Sequence, residues 1–342
     1  MDVAPLPISI LGGIFMSNAD KLTENCIHCG LCTRKCAFLQ KYKLDLQSFA
    51  EHPELAYHCF LCSDCSLVCP KKIDGREVAL ELRRNNVESN GGKIAEKGYT
   101  ALIAEKKDYL FRNKKAADRR SVLFPGCNFP SFFPETTEYL VKLLKDTADI
   151  GVLYDCCGKP ISELGLARED HQGLDALKKR LANLGIEELI VLCPNCYHFL
   201  KPRLDIPVVS IYDKLMELRL GGKITEDKAY LFVPCPDKAS LALEKSLLPF
   251  FTGETENIKG IQCCGLGGCA AEKEPEISGS FAAKLKEKQH PNVYTYCASC
   301  AGKLRRSGVE NVHHVLGDIL GTEEQSELSM KSLWNRAKHK FF

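Results

Sequence analysis

Tyr154-Asp155-Cys156-Cys157-Gly158 and, 107 positions later, Ile261-Gln262-Cys263-Cys264-Gly265 are the stretches that decide the fold. Each doublet is the middle of a longer pattern. Cys127 precedes the first by 28 residues, and Cys193-Pro194-Asn195-Cys196 follows it by 35. Cys235 precedes the second by 27 residues, and Cys297-Ala298-Ser299-Cys300 follows it by 32. Five cysteines recurring in order, at offsets of 104 to 108, mark an internal duplication.

Short apolar runs bounded by turn residues surround these cysteines, as buried parallel strands require. They are 121–124, 151–154, 189–192 and 208–211 in the first copy, and 230–233, 258–262, 293–296 and 312–315 in the second. Helical stripes separate them, one at Tyr139, Leu140, Leu143 and Leu144 and another at Leu174, Leu177, Leu181 and Leu184. Each copy therefore reads as a βαβαβα unit whose cysteines stand at strand C-termini. Ligands collect at that edge of a parallel sheet, and helix N-termini there offset thiolate charge. Neighbouring side chains diverge, so a Cys-Cys doublet suits an extended or irregular cluster. Five thiolates also exceed the four that zinc takes. Zinc with one spare thiol per repeat is the competing reading.

Upstream, Cys26, Cys29, Cys32 and Cys36 form C-x2-C-x2-C-x3-C, and Cys59, Cys62, Cys65 and Cys69 repeat it before Pro70. This is the run of two-cubane ferredoxins, in which the fourth cysteine of each run serves the other cluster. The spacing assigns Cys26, Cys29, Cys32 and Cys69 to one [4Fe–4S] cubane, and Cys59, Cys62, Cys65 and Cys36 to the other. Structural zinc, the rival, prefers separated C-x2-C pairs. The 22 residues between the runs look helical, at Leu44 to Ala50 and Pro53 to Ala56.

The whole chain agrees with this reading. It has 342 residues, 19 of them cysteine, with 45% hydrophobic and 26% charged residues. That suits two or three packed domains at roughly 150 residues each. The net charge of +2 gives no support for nucleic-acid binding. No apolar run approaches the ~18 residues of a membrane span, and Ile8 to Met16, broken by Gly12 and Gly13, makes a poor signal peptide. Long chain and odd cysteine count argue against a disulfide scaffold and for a cytoplasmic setting, with the thiols as ligands or redox groups.

Two copies of C…CCG…C-x-x-C behind a twin-cubane module resemble the cysteine-rich CCG-domain proteins. The likeness is strongest to the fused, subunit-D-like catalytic subunit of heterodisulfide reductase. Related chains are iron–sulfur subunits of glycolate, lactate and anaerobic glycerol-3-phosphate dehydrogenases. The resemblance covers roughly residues 20 to 320. It implies one non-cubane [4Fe–4S] cluster on Cys127, Cys156, Cys157, Cys193 and Cys196, and a second on Cys235, Cys263, Cys264, Cys297 and Cys300. It also implies a thiol–disulfide oxidoreductase that takes electrons from a flavoprotein or other redox subunit through the cubanes. Cleaving a small disulfide needs two electrons, and two facing clusters can each give one and capture one sulfur. The alternative is a non-catalytic subunit carrying electrons from a flavin-dependent dehydrogenase to a quinone or other carrier.

The expected organisation is a helical ferredoxin domain (1–82), a basic linker (83–120), two CCG domains (121–225 and 226–320) and a basic tail (321–342). The linker, with 11 basic and 5 acidic residues, reads as a solvated helix or as a docking face for an acidic redox partner. The tail, with Leu333, Trp334, Phe341 and Phe342, reads as a frayed end or as a contact with a membrane or partner. Gly265 to Ala270 spells G-x-G-x-x-A, a dinucleotide fingerprint on paper, yet it follows two ligand cysteines directly. His198 reads as a structural histidine or a proton donor, His28 as exposed or as a tuner of a cubane. Cys269 is left over and reads as a buried free thiol.

Overall fold

Runs such as Val122-Leu123-Phe124 and Leu189-Ile190-Val191 carry no polar side, so they are stable only with both faces covered. In the computed structural model, which describes residues 18–113, 119–338 and 340, they form the centre of a parallel sheet. The first sheet contains β1 (Ser121–Phe124), β2 (Gly151–Val152), β3 (Glu188–Val191) and β4 (Val208–Ser210), in the order β2-β1-β3-β4. The second repeats it with β5 (Lys228–Leu231), β6 (Glu254–Asn257), β7 (Val293–Thr295) and β8 (Val312–His314), in the order β6-β5-β7-β8. All strand pairs are parallel, with Leu123 opposite Ile190 and Leu231 opposite Tyr294. The chain is thus mixed α/β with a duplicated sheet. Strand order reverses between the two central strands of each sheet, and the cysteine loops leave from the carboxyl edge there.

One expected strand is misplaced. The run 258–262 lies beyond β6, which is Glu254–Asn257. Strand β6 is an edge strand of alternating exposure and pairs with β5 through Lys228 opposite Glu254, so it needs no apolar run. After it Ile258 is half-buried and Ile261 buried, where the chain passes from the sheet to Cys263.

Ahead of the sheets the described residues are helical, with no strand among residues 18–113. Asp45 caps Leu46–Ala50 by accepting from Ser48 N, and Asp74 caps Gly75–Ser89 by accepting from Arg76 N and Glu77 N. Arg83, inside that last helix, is fully buried. Its guanidinium donates to the carbonyls of Ala56 (3.0 Å), Cys59 (2.9 Å) and Glu163 (2.7 Å) and lies over Tyr57. Glu163 belongs to the first repeat, so this arginine joins the helical region to it. Gly165 makes the close approach possible, since a Cβ there would stand 2.6 Å from the Arg83 backbone.

One part of the expected surface turns inward, and another is held against the fold. Arg83 and Lys106 are buried, so the 83–120 stretch is neither a plain solvated helix nor a uniform docking face. Lys114 and Lys115 lie outside the described residues. In the tail, Lys331–Lys338 is a helix held by Asn335 donating to Ser131 O (3.2 Å) and Arg336 pairing with Glu105 (2.8 Å). Trp334 on it stays exposed. Phe341, Phe342 and the segment Ile8 to Met16 also lie outside the described residues. No described helix is long and apolar enough to cross a membrane.

Candidate metal centres

Cys26, Cys29, Cys32 and Cys69 line one cavity, with Leu31 and Leu46. Cys29 is exposed, and Ile27 and Leu67 nearby in sequence are half or more exposed. Cys36, Cys59, Cys62 and Cys65 form a second group, in which the other three thiols surround Cys65. The structure therefore places the last cysteine of each run with the first three of the other. This second group is deep. Burial pushes the Cys59 thiol up to about 11 and raises Cys36 and Cys65 as well. Gly75 closes over it, since a Cβ there would stand 2.5 Å from Cys65 Sγ.

In the first repeat, Cys127 lies against Cys156, Cys156 against Cys157, Cys157 against Cys196, and Cys196 against Cys193. Contacts with Cys156 and Cys196 hold the Cys157 thiol down to about 5. Gly126, with φ +72°, keeps space beside Cys196 Sγ, which a Cβ would approach to 3.2 Å. In the second repeat, Cys235 meets Cys263, while Cys264, Cys300 and Cys297 form a chain.

Three of these four groups touch in turn. Cys62 lies against Cys263, and this contact with the nearby Lys238 ammonium lowers its thiol to about 7. Cys297 lies against Cys193, which brings the two repeats together. Asn195 Nδ2 stands 3.9 Å from Cys297 Sγ, and Asn128 donates to Ser299 Oγ at 2.7 Å across the same junction.

Buried cations face these sulfurs. Burial works against the charge of Lys106, but Cys127, Cys156 and Glu105 keep its pKa above the ordinary lysine range. Lys238 is likewise raised against burial by Cys235, Asp64 and Cys62. A third device spans the repeats at Asp237, which is fully buried. Burial opposes its charge. Hydrogen bonds from His198 (2.8 Å), Tyr296 OH (2.7 Å) and the N–H groups of Leu243 and Glu244 outweigh that and hold its carboxyl below the usual range. His198 thus has a structural partner. Its ring and Tyr296 stand two residues and one residue from Cys196 and Cys297, so Asp237 ties the ligand loops of both repeats.

Near the junction of the repeats the buried Tyr212 Oη has no partner among the described residues, and the His314 ring lies close by, with the Tyr296 backbone beside it. Cys193 is within electrostatic reach of both, and Cys297 of Tyr212. His314 Nδ1 accepts from Leu316 N (3.2 Å), which leaves its proton on Nε2. Burial keeps this ring neutral, its pKa pushed down to about 3. Eighteen clustered thiols, glycine-lined space beside the sulfurs, buried counter-cations and an orphaned donor fit metal held as thiolate.

The remaining motifs resolve differently. Gly267 and Gly268 let the helical region close on the second repeat, since Cβ atoms there would stand 2.5 Å from Phe60 O and 2.4 Å from Cys59 O. Their glycines serve tertiary approach, and the next long helix begins only at Pro275. His28 Nδ1 pairs with Asp45 at 2.6 Å while its ring stays exposed. Cys269 is half-buried near Arg83, Glu163 and Lys159. Beyond the cysteines, sequence reading missed Arg83, Lys106, Asp155, Tyr212, Asp237, Lys238, Gln262, Glu274 and His314. The repeat offset was the available signal for some of them: carried past the cysteines, it pairs Asp155 with Gln262 and Ser210 with His314.

Residues 121–201 and 231–305 each match the CCG cysteine-rich domain, so the chain carries two such domains. An uncharacterized iron–sulfur protein of Methanococcus maripaludis is 24% identical over 79% of this chain and 61% of its own length. A subunit of the fumarate reductase (CoM/CoB) of Methanothermobacter marburgensis is 24% identical over 82% of this chain and 67% of its own length. The chain thus spans about two thirds of these relatives. Among solved structures, an aspartate racemase homologue from Pyrococcus horikoshii is 11% identical over 60% of this chain and 97% of its own, with a TM-score of 0.27. Likeness of that degree says nothing about the site.

Proposed function

We propose that this chain, with two CCG domains behind an eight-cysteine helical module, is an iron–sulfur oxidoreductase subunit that reduces a small disulfide. The observation that carries the reading is the succession of thiol groups, the last three of which touch in turn. It runs from the cavity of Cys26, through Cys36 and Cys62, to Cys263 and then across Cys297 to Cys193. Bound along it, two cubane and two non-cubane [4Fe–4S] clusters would supply one-electron steps, and the last two would offer iron to the sulfurs of a disulfide.

The chain's own residues suit the two ends of that line. Exposed Cys29, with apolar Ile27 and Leu67, gives a redox partner a place to dock near the first group. At the other end, burial of Cys297 and Cys196 keeps water from the junction of the repeats. There the buried Tyr212 hydroxyl is a donor without a partner among the described residues, suited to a sulfur atom or a departing thiolate. Lys106 and Lys238 offset thiolate charge on either side. On this reading the chain works in the cytoplasm, beside a flavoprotein or other redox subunit.

The relative that forms part of a reductase also favours a second reading, in which the chain only relays electrons between subunits. One experiment separates the two. The anaerobically purified chain, reduced by a low-potential viologen, is assayed on a panel of small disulfides, with iron and zinc measured on the same sample. About 16 iron atoms with almost no zinc and steady disulfide turnover support the proposal. About 8 iron atoms with stoichiometric zinc contradict the non-cubane sites. Full iron with dye or quinone reduction and no disulfide turnover selects the relay.

A further inference from the structure

Gln262 sits where two of these groups meet. Its backbone leads directly into Cys263. Its side chain turns away from that loop and into the helical module. There Nε2 donates to Cys62 Sγ (3.3 Å) and Cys36 Sγ (3.6 Å), while Oε1 accepts from Ala37 N (2.8 Å). Its carbonyl accepts from Lys238, which also pairs with Asp64 of the module. Both ends of the side-chain amide are therefore satisfied across the seam, and the residue is buried. Its counterpart in the first repeat is Asp155. That carboxylate is bound by Arg112 and Arg180 and by its neighbour Cys156 N, and it does not reach into the module's sulfurs. An acid at 262 would put negative charge against thiolates with no arginine beside it. An amide supplies N–H instead.

Hydrogen bonds to the sulfurs of a cluster stabilise its more electron-rich, reduced state and so raise its reduction potential. Resting on the functional reading above, we propose that Gln262 is a positioning residue. It raises the potential of the cluster on Cys36, Cys59, Cys62 and Cys65 and holds that cluster against the second repeat, which makes the second repeat the first to receive electrons. The step makes and breaks no bond: the module's site gives up one electron, replaced by the partner redox protein, and the second repeat's site gains it.

The test is an EPR-monitored redox titration of the full, iron-loaded chain as wild type, Gln262→Leu and Gln262→Glu. The glutamate variant keeps an acceptor for Ala37 N while replacing the donor with a negative charge, so it remains informative if leucine disturbs the seam. The expected result is a shift of one cubane's midpoint to more negative potential in the leucine variant and a larger one in the glutamate variant. The cubane on Cys26, Cys29, Cys32 and Cys69 should hold its potential, and iron per chain should stay level. An unmoved midpoint in both variants overturns the role. So does an equal shift of both cubanes, or loss of iron from the site in both variants, because either makes Gln262 a strut. A wild-type chain with no cubane signal breaks the functional reading and this role with it, whereas clear wild-type signals with unmoved variants break this role alone.

Discussion

Ahead of its cysteine doublet the first repeat carries Asp155, locked by two arginines, while the second carries Gln262, which crosses to the helical module. The counter-cations differ in the same way. Lys106 reaches the first repeat's sulfurs from a helix outside it, Thr100–Lys106, whereas Lys238 stands in the second repeat three residues after Cys235. At the end of the last strand the first repeat has Ser210 and the second His314, each capping the helix that follows. Duplication preserved ten cysteines and let their surroundings diverge. Identical cysteine patterns therefore occupy different stations: the second repeat touches the module through Cys263, and the first touches only the second at Cys193 in the line of thiols described above.

The largest effect that would break this asymmetry comes from removing one ligand per repeat. Cys157→Ala and Cys264→Ala should each drop disulfide turnover to background, because both repeats must act on one substrate. Freeze-quench EPR should then tell them apart: in Cys157→Ala the second repeat still reduces, while in Cys264→Ala neither repeat does. Near-wild-type turnover in either variant contradicts the two-site mechanism, and identical reduction patterns contradict the order. Next in size, Cys36→Ala should cost about 4 of roughly 16 iron atoms. The loss should come from the group of Cys59, Cys62 and Cys65, and loss at Cys26 instead would refute the crossed pairing.

A smaller effect sharpens the comparison. Methionine matches lysine in length but leaves the facing charges unpaired, so iron content is measured beside the potentials to separate tuning from destabilisation. Lys106→Met should lower the potential only of the first repeat's site. Lys238→Met should lower both the second repeat's site and the deeper cubane, since it faces Cys235 and Cys62. Equal effects at all sites would mean the two lysines are interchangeable.

The smallest effect is set by pH at Glu274, which accepts from Lys41 (2.6 Å), Tyr42 OH (2.7 Å) and His58 (2.6 Å) of the module. Burial opposes its charge, but these partners outweigh it and hold the carboxyl below its ordinary value of 4.5. A lowered carboxyl pKa stabilises the seam fully above that ordinary value and loses its hold as pH falls through the folded one. Protection of residues 37–58, with the intrinsic pH dependence of amide exchange divided out, should thus be flat at neutral pH and fall only in acid. Glu274→Gln should speed exchange modestly at neutral pH, and an unchanged rate there would remove Glu274 from the seam.

Ligand chemistry made the cysteines legible, because metal fixes both residue type and spacing. The strands were legible where both faces are covered, as in β1 and β3. The edge strand β6 was not, since Glu254 and Glu256 face outward and its ladder runs through backbone. Gln262 to Cys62 spans 200 residues of sequence and Glu274 to His58 spans 216, so no local pattern announces either. Gly267 and Gly268 misled in the opposite direction, because glycine is needed wherever backbone approaches closely, whether to a phosphate or to another segment.

Those two glycines also fix an order of construction. With them pressed on Cys59 and Phe60, the thiols of Cys36, Cys62 and Cys65 are almost wholly covered in the finished fold, and Cys59 alone of that group is half-buried. On the proposed reading, iron and sulfide would enter the deeper group before the helical region closes on the second repeat. Final closure then becomes a checkpoint that follows loading, and an empty chain that shuts early would be sealed against repair.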